Sequence, residues 1–140
     1  MIALDTNIII HALNTASPEH TVVKKWLQSD EDVLATSHIC VAEALRILTH
    51  PRLIPHPLKL IDALDLLRSF LDFFDVCILG EEPTWIEALA ELARNLPALR
   101  GGEVHDARIA LSLREHGVRK ICTFDYEFSK YEFLRVSRPV

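Results

Sequence analysis

The sequence predicts an α/β protein: a parallel sheet of four or five strands covered by helices on both faces. Two observations carry this. Short apolar runs at residues 2–4, 33–36, 76–79 and 120–124 recur along the 140 residues, with a further candidate at 134–137. They lack the polar alternation of a half-solvated strand and read as buried on both sides. Between them lie segments whose apolar residues repeat at helical spacing, which gives the strand–helix alternation of a parallel sheet.

Taken in order, residues 2–4 form a first strand that ends in Asp5-Thr6-Asn7, a turn into a helix over 8–13. Ser17-Pro18 reads as N-cap and first helical position of a helix running to about Ser29. After the second strand, Ser37 caps a helix over 39–48 that stops before His50-Pro51. A long helix follows Pro57 and reaches about Phe74. Thr84 and Glu87 have the spacing of a capping box, and a helix follows with Trp85, Leu89, Leu92 and Leu96 on its apolar face. A loop at 97–102 leads into a helix over 103–116, and Gly117 supplies its stop.

A chain of 140 residues, 49 % of them apolar, suits one domain with one core. The expected span is therefore 1–140. The charged share of 25 % is that of an ordinary soluble protein. The three cysteines, Cys40, Cys77 and Cys122, are odd in number and set among apolar neighbours. They read as small core residues in a reducing compartment, so the expected location is the cytoplasm. The first residues do not read as a signal peptide. The apolar stretch 58–74 carries Lys59, Asp62, Asp65, Arg68 and Asp72, which argues against a membrane span. The net charge of −5 is not that of a typical nucleic-acid binder, although acidic metal sites add negative charge that bound cations neutralise.

Four acids stand where acids are costly. Asp5 and Asp125 each follow a strand, at the carboxyl edge where open parallel sheets place their sites. A turn or cap role is the commoner account of either one alone. Glu43 shares a helix stripe with Ile39 and Ile47 and needs a partner there, which is a site or an ion pair with Arg46. Asp106 shares the stripe of Ile109, Ala110 and Leu113 in what reads as a first helical turn; an ordinary first-turn carboxylate is the alternative. Converged carboxylates repel unless a cation joins them, and hard oxygen donors suit Mg²⁺ or Mn²⁺. No Cys/His spacing suits zinc, and the seven histidines read as surface or loop residues, with His105 beside Asp106 the one of interest.

Leu4-Asp5-Thr6-Asn7-Ile8, Ser37 followed by Val41-Ala42-Glu43-Ala44-Leu45-Arg46, His105-Asp106-Ala107-Arg108-Ile109-Ala110, and Thr123-Phe124-Asp125 together resemble the PIN-domain family. The resemblance runs from residue 1 to about residue 137, and the order Asp, Glu, Asp, Asp at these intervals is its most specific part. Within the family the chain looks most like the VapC-like toxins of toxin–antitoxin pairs, and Leu48-Thr49-His50-Pro51-Arg52 adds to that likeness. The resemblance implies a PIN-like three-layer fold and a Mg²⁺- or Mn²⁺-dependent ribonuclease. It also implies frequent homodimers and inhibition by a cognate VapB-like antitoxin. Carried over by position, Asp5, Glu43, Asp106 and Asp125 are the catalytic and metal-binding cluster, with Asn7 and Thr123 as supporting polar residues.

Arg46, on the Glu43 face, is the expected phosphate contact, whereas Arg108 lies roughly opposite Asp106 and reads as structural. The excess apolar surface of the helix after Pro57 is an expected dimer or antitoxin surface. Other readings are a PIN-like scaffold that binds RNA or protein without catalysis, a haloacid-dehalogenase-like phosphatase and a receiver-like domain. The last two want paired early acids, and residue 7 is Asn.

Overall fold

A computed structural model describes residues 1–140. Its strands are β1 (Ile2–Leu4), β2 (Leu34–Ser37), β3 (Cys77–Leu79), β4 (Lys120–Cys122) and β5 (Arg135–Ser137). Its helices are α1 (Thr6–Leu13), α2 (His20–Ser29), α3 (His38–Leu48), α4 (Leu60–Phe73), α5 (Trp85–Asn95) and α6 (Gly102–Glu115). A 3₁₀ turn covers Tyr126–Lys130.

All five strands are parallel, in the order β3-β2-β1-β4-β5. The candidate fifth strand is therefore real. Every residue of β1 and β2 is buried, as strands covered on both faces must be. α1 packs on α2 and α3, α3 packs on α4, and α5 packs on α6. No helix is long and apolar enough to cross a membrane.

The strand order decides where a site can form. From β1 the chain steps outward to β2 and β3, then returns to the other side of β1 for β4 and β5. β1 and β4 thus flank the topological switch point, where the connections leave in opposite directions and open a crevice at the carboxyl edge. Asp5 follows β1 there, and Thr123 and Asp125 follow β4.

Several local expectations need correction. α2 begins at His20, not at Pro18, because the Ser17 hydroxyl accepts from the Glu19 amide at 3.2 Å inside a preceding turn. Thr84 is the N-cap of α5 but makes no side-chain cap bond, so the expected capping box is not formed. α6 starts at Gly102, which moves Asp106 out of the first turn and weakens the helix-dipole argument for it. Cys40 and Cys122 are core residues, but Cys77 is exposed because β3 is an edge strand. Gly117 has φ +73°, the left-handed conformation expected of a helix stop.

Candidate active site

Asp5 serves two roles. It is the N-cap of α1, with its Oδ1 accepting from the Thr6 amide at 2.7 Å. Its Oδ2 accepts from the Thr123 hydroxyl at 2.6 Å and from Asn7 Nδ2 at 3.0 Å. The cap reading of the sequence was thus correct without excluding the site. Thr123 is fully buried, and its Oγ1 also accepts from Asn7 Nδ2 at 3.1 Å and from the Asp125 amide at 2.9 Å. Asn7 Oδ1 closes the network by accepting from the Phe124 amide at 3.3 Å. One hydroxyl therefore ties the end of β1 to the end of β4 and fixes the geometry of both acids. Asp125 in turn caps the 3₁₀ turn, accepting from the Glu127 amide at 2.9 Å.

Glu43 reaches the same place from α3 and Asp106 from α6. A cavity of about 230 Å³ is lined by Asp5, Thr6, Asn7, His11, Glu43, Asp106 and Asp125. Glu43 does not pair with Arg46; its neighbour is His105 Nε2 at 3.1 Å. Arg46 is exposed and lines a wider adjoining groove of about 610 Å³ that also carries Glu43, His105 and Asp106. Arg108 is engaged elsewhere, with Nε 3.0 Å from Glu81 Oε2 and its guanidinium over the Trp85 ring, which fits a structural role.

The electrostatics are those of acids gathered against their preference. Burial pushes the Asp5 carboxyl up to about 6, against the Thr123 and Thr6 hydrogen bonds that favour the anion. The charges of Asp106 and Glu43 raise it further. Asp106 is also raised, first by partial burial and then by Asp125 and Glu43. Cys40 adds to the dry wall: its Sγ lies 3.9 Å from Asp5 Oδ1, and burial pushes that thiol up to about 12.

Two lining residues escaped the sequence reading. Thr6 lies directly after Asp5, and its buried Oγ1 has no hydrogen-bond partner. His11 was expected on the surface; it is half-buried, with its ring edge-on to Phe124 and Nδ1 2.5 Å from the Ser17 hydroxyl. The four-residue step from Asn7 to His11 places both on one face of α1, a signal available in advance.

The donor set suits a hard divalent cation. It consists of oxygens, it is net negative, it contains an orphaned buried hydroxyl, and it includes a carboxylate whose charge burial opposes. The acids line one cleft, but no three acidic, histidine or cysteine side chains are gathered at metal-ligating separation.

The PIN-domain family profile matches residues 2–134. The chain belongs to the PIN-domain family. Ribonuclease VapC24 of Mycobacterium tuberculosis is 28 % identical to this PIN protein over 143 aligned positions, covering 100 % of this chain and 97 % of the relative. The crystal structure of M. tuberculosis VapC20, a sarcin–ricin-loop-cleaving toxin, superposes with a TM-score of 0.73 at 22 % identity, covering 96 % of this chain and 97 % of that one. A chain of a toxin–antitoxin complex from Klebsiella pneumoniae has a TM-score of 0.64 at 18 % identity, covering 100 % and 98 %. The VapC24 match relates this PIN protein to the VapC ribonuclease toxins over its full length, and the two structures confirm the fold.

Proposed function

We propose that this PIN protein is an endoribonuclease that depends on Mg²⁺ or Mn²⁺, and that it is the toxin of a VapBC-type pair. One observation carries the reading: acids from four separate elements line a single cleft at the switch point of a sheet whose family includes ribonucleases. Asp5, Glu43, Asp106 and Asp125 would hold the ion. When bound, it supplies Lewis-acid stabilisation of charge on a scissile phosphate and acidifies the attacking water.

The chain's own residues do the rest. The Thr123–Asn7 network holds Asp5 in one orientation and spares it a search among rotamers. Glu43, with His105 beside it at 3.1 Å, would orient water in the cleft. Arg46, free of any acidic partner, is the phosphate contact of the adjoining groove. On α4, Leu60, Ile61 and Phe73 stay 58 %, 60 % and 76 % exposed, a surface suited to a second copy or an antitoxin segment.

The test is incubation of purified protein with RNA. Cleavage is expected with added Mn²⁺, none in excess chelator, and none for Asp106→Asn with Mn²⁺. Undiminished cleavage in chelator would refute the metal requirement, and an inert wild type with Mn²⁺ would leave only a binding scaffold.

A further inference from the structure

At the opposite edge of the sheet from the acids lies a second concave surface, of about 790 Å³. Its cations are Arg114 at the end of α6, Arg119 and Lys120 at the start of β4, and Arg135 at the start of β5. Glu132 is its one acid. Four of the fifteen Lys and Arg residues of a chain with net charge −5 thus share one groove. Only Lys120 is neutralised within the fold, by Asp32 at 3.0 Å.

The topology forces these charges together. Lys120 and Arg135 are register partners on neighbouring parallel strands, and the Arg135 amide donates to the Arg119 carbonyl at 2.8 Å. Like charges in such cross-strand positions repel, a cost that the Lys120–Asp32 pair offsets on one strand while Arg135 has no acidic partner. Arg114 is held over the Phe133 ring, its guanidinium carbon 5.0 Å from the centroid, with its donors left free. An anion with several charged oxygens at regular spacing would satisfy the three unpaired arginines at once.

We propose that this groove binds the phosphate backbone of RNA, as an anchoring site separate from the catalytic cleft. The inference rests on the ribonuclease reading for its choice of polyanion. The cleft is itself acidic and gives RNA little electrostatic hold, whereas this groove supplies it. β4 begins at Lys120 in the groove and leads to Thr123 and Asp125 at the cleft, so the two sites are roughly 10–15 Å apart through the sheet. An RNA long enough to pass around the sheet can touch both.

The probe is a labelled RNA stem–loop, followed by fluorescence anisotropy in chelator across a salt series, so that binding is read without cleavage. The proteins are the full-length wild type, Arg119→Ala/Arg135→Ala, Arg119→Lys/Arg135→Lys and, as a control, Arg68→Ala on α4. Arg114 is left intact because it packs on Phe133, and matching thermal melts verify folding. The double alanine variant should bind roughly tenfold more weakly and lose about 1.5 from the log–log salt slope. The double lysine variant should recover most of both, and Arg68→Ala should match wild type. Equal affinity and slope for wild type and the double alanine variant would overturn the groove. So would a wild type that binds no RNA, or one that prefers polyglutamate to RNA at this surface, which would assign the groove to an acidic protein partner. Cleavage with Mn²⁺ is scored separately. A wild type that binds but does not cut removes the nuclease reading and keeps the groove; one that cuts, with binding unaffected by the alanines, does the reverse.

Discussion

Asp5→Asn should make the metal-free protein more stable at pH 7.5 while abolishing RNA cleavage. The Asp5 carboxyl lies at about 6 in the fold, against 3.8 as an ordinary carboxyl. A folded value above the unfolded one means that the native state binds the proton more tightly, so the ionised form opposes folding. The penalty is fully present above pH 6, shrinks as pH falls, and is gone below about pH 4. A shift of this size corresponds to about 3 kcal/mol. The amide gives back part of it, because one of its donors faces Thr123 and Asn7, which leaves a net gain of about 2 kcal/mol, or roughly 5 °C in Tm. Thermal melts in chelator at pH 7.5 and pH 4.5 check this: the advantage of Asp5→Asn should be clear at the higher pH and nearly absent at the lower. Added Mn²⁺ should reverse the order, because the ion stabilises only a protein that binds it. A variant less stable than wild type at both pH values would mean that the hydrogen bonds outweigh desolvation.

Thr123→Val should have the opposite effect on stability and a distinct effect on activity. Valine matches the shape but removes the hydroxyl that donates to Asp5 and accepts from Asn7 and the Asp125 amide. At a fully buried position the unmade bonds cost about 2–4 kcal/mol. Asp5 also loses the hydrogen bond that most favours its anion, so its carboxyl moves further up and any residual cleavage shifts to higher pH. Thr123→Ser keeps the oxygen and should retain the wild-type pH profile with a loss of about 1 kcal/mol. Denaturant melts and pH–rate profiles of the two variants check this. A Val variant with wild-type stability and profile would remove Thr123 from the site.

What the sequence discloses and what it hides follow from how local each signal is. The apolar runs at residues 2–4 and 120–124 read as central strands because burial on both faces leaves no room for polar alternation, although the second strand ends at Cys122. An acid placed directly after such a run is then legible as a candidate, as Asp5 and Asp125 were. Glu43 was legible as a carboxylate on an apolar stripe, but its partner was not. His105 comes from α6, and only the packing of α3 on α6 brings it within 3.1 Å. The caps misled where a hydroxyl had another use: Ser17 is engaged by His11 and Glu19 ahead of α2, and Thr84 makes no cap bond. Cys77 was misplaced because nothing in the short apolar run at residues 76–79 says whether the strand is central or at an edge. The basic groove was hidden for the same reason, since Arg119, Lys120 and Arg135 meet only through the β4–β5 register.

The central claim is that the acids of the switch-point cleft together hold one kind of ion. Calorimetric titration of Mn²⁺ into the metal-free protein tests it without RNA or turnover. Saturable binding is expected for wild type near pH 7, with affinity falling steeply for Asp5→Asn and for Asp106→Asn. Binding that is absent in wild type, or unchanged when either carboxylate becomes an amide, would contradict the account.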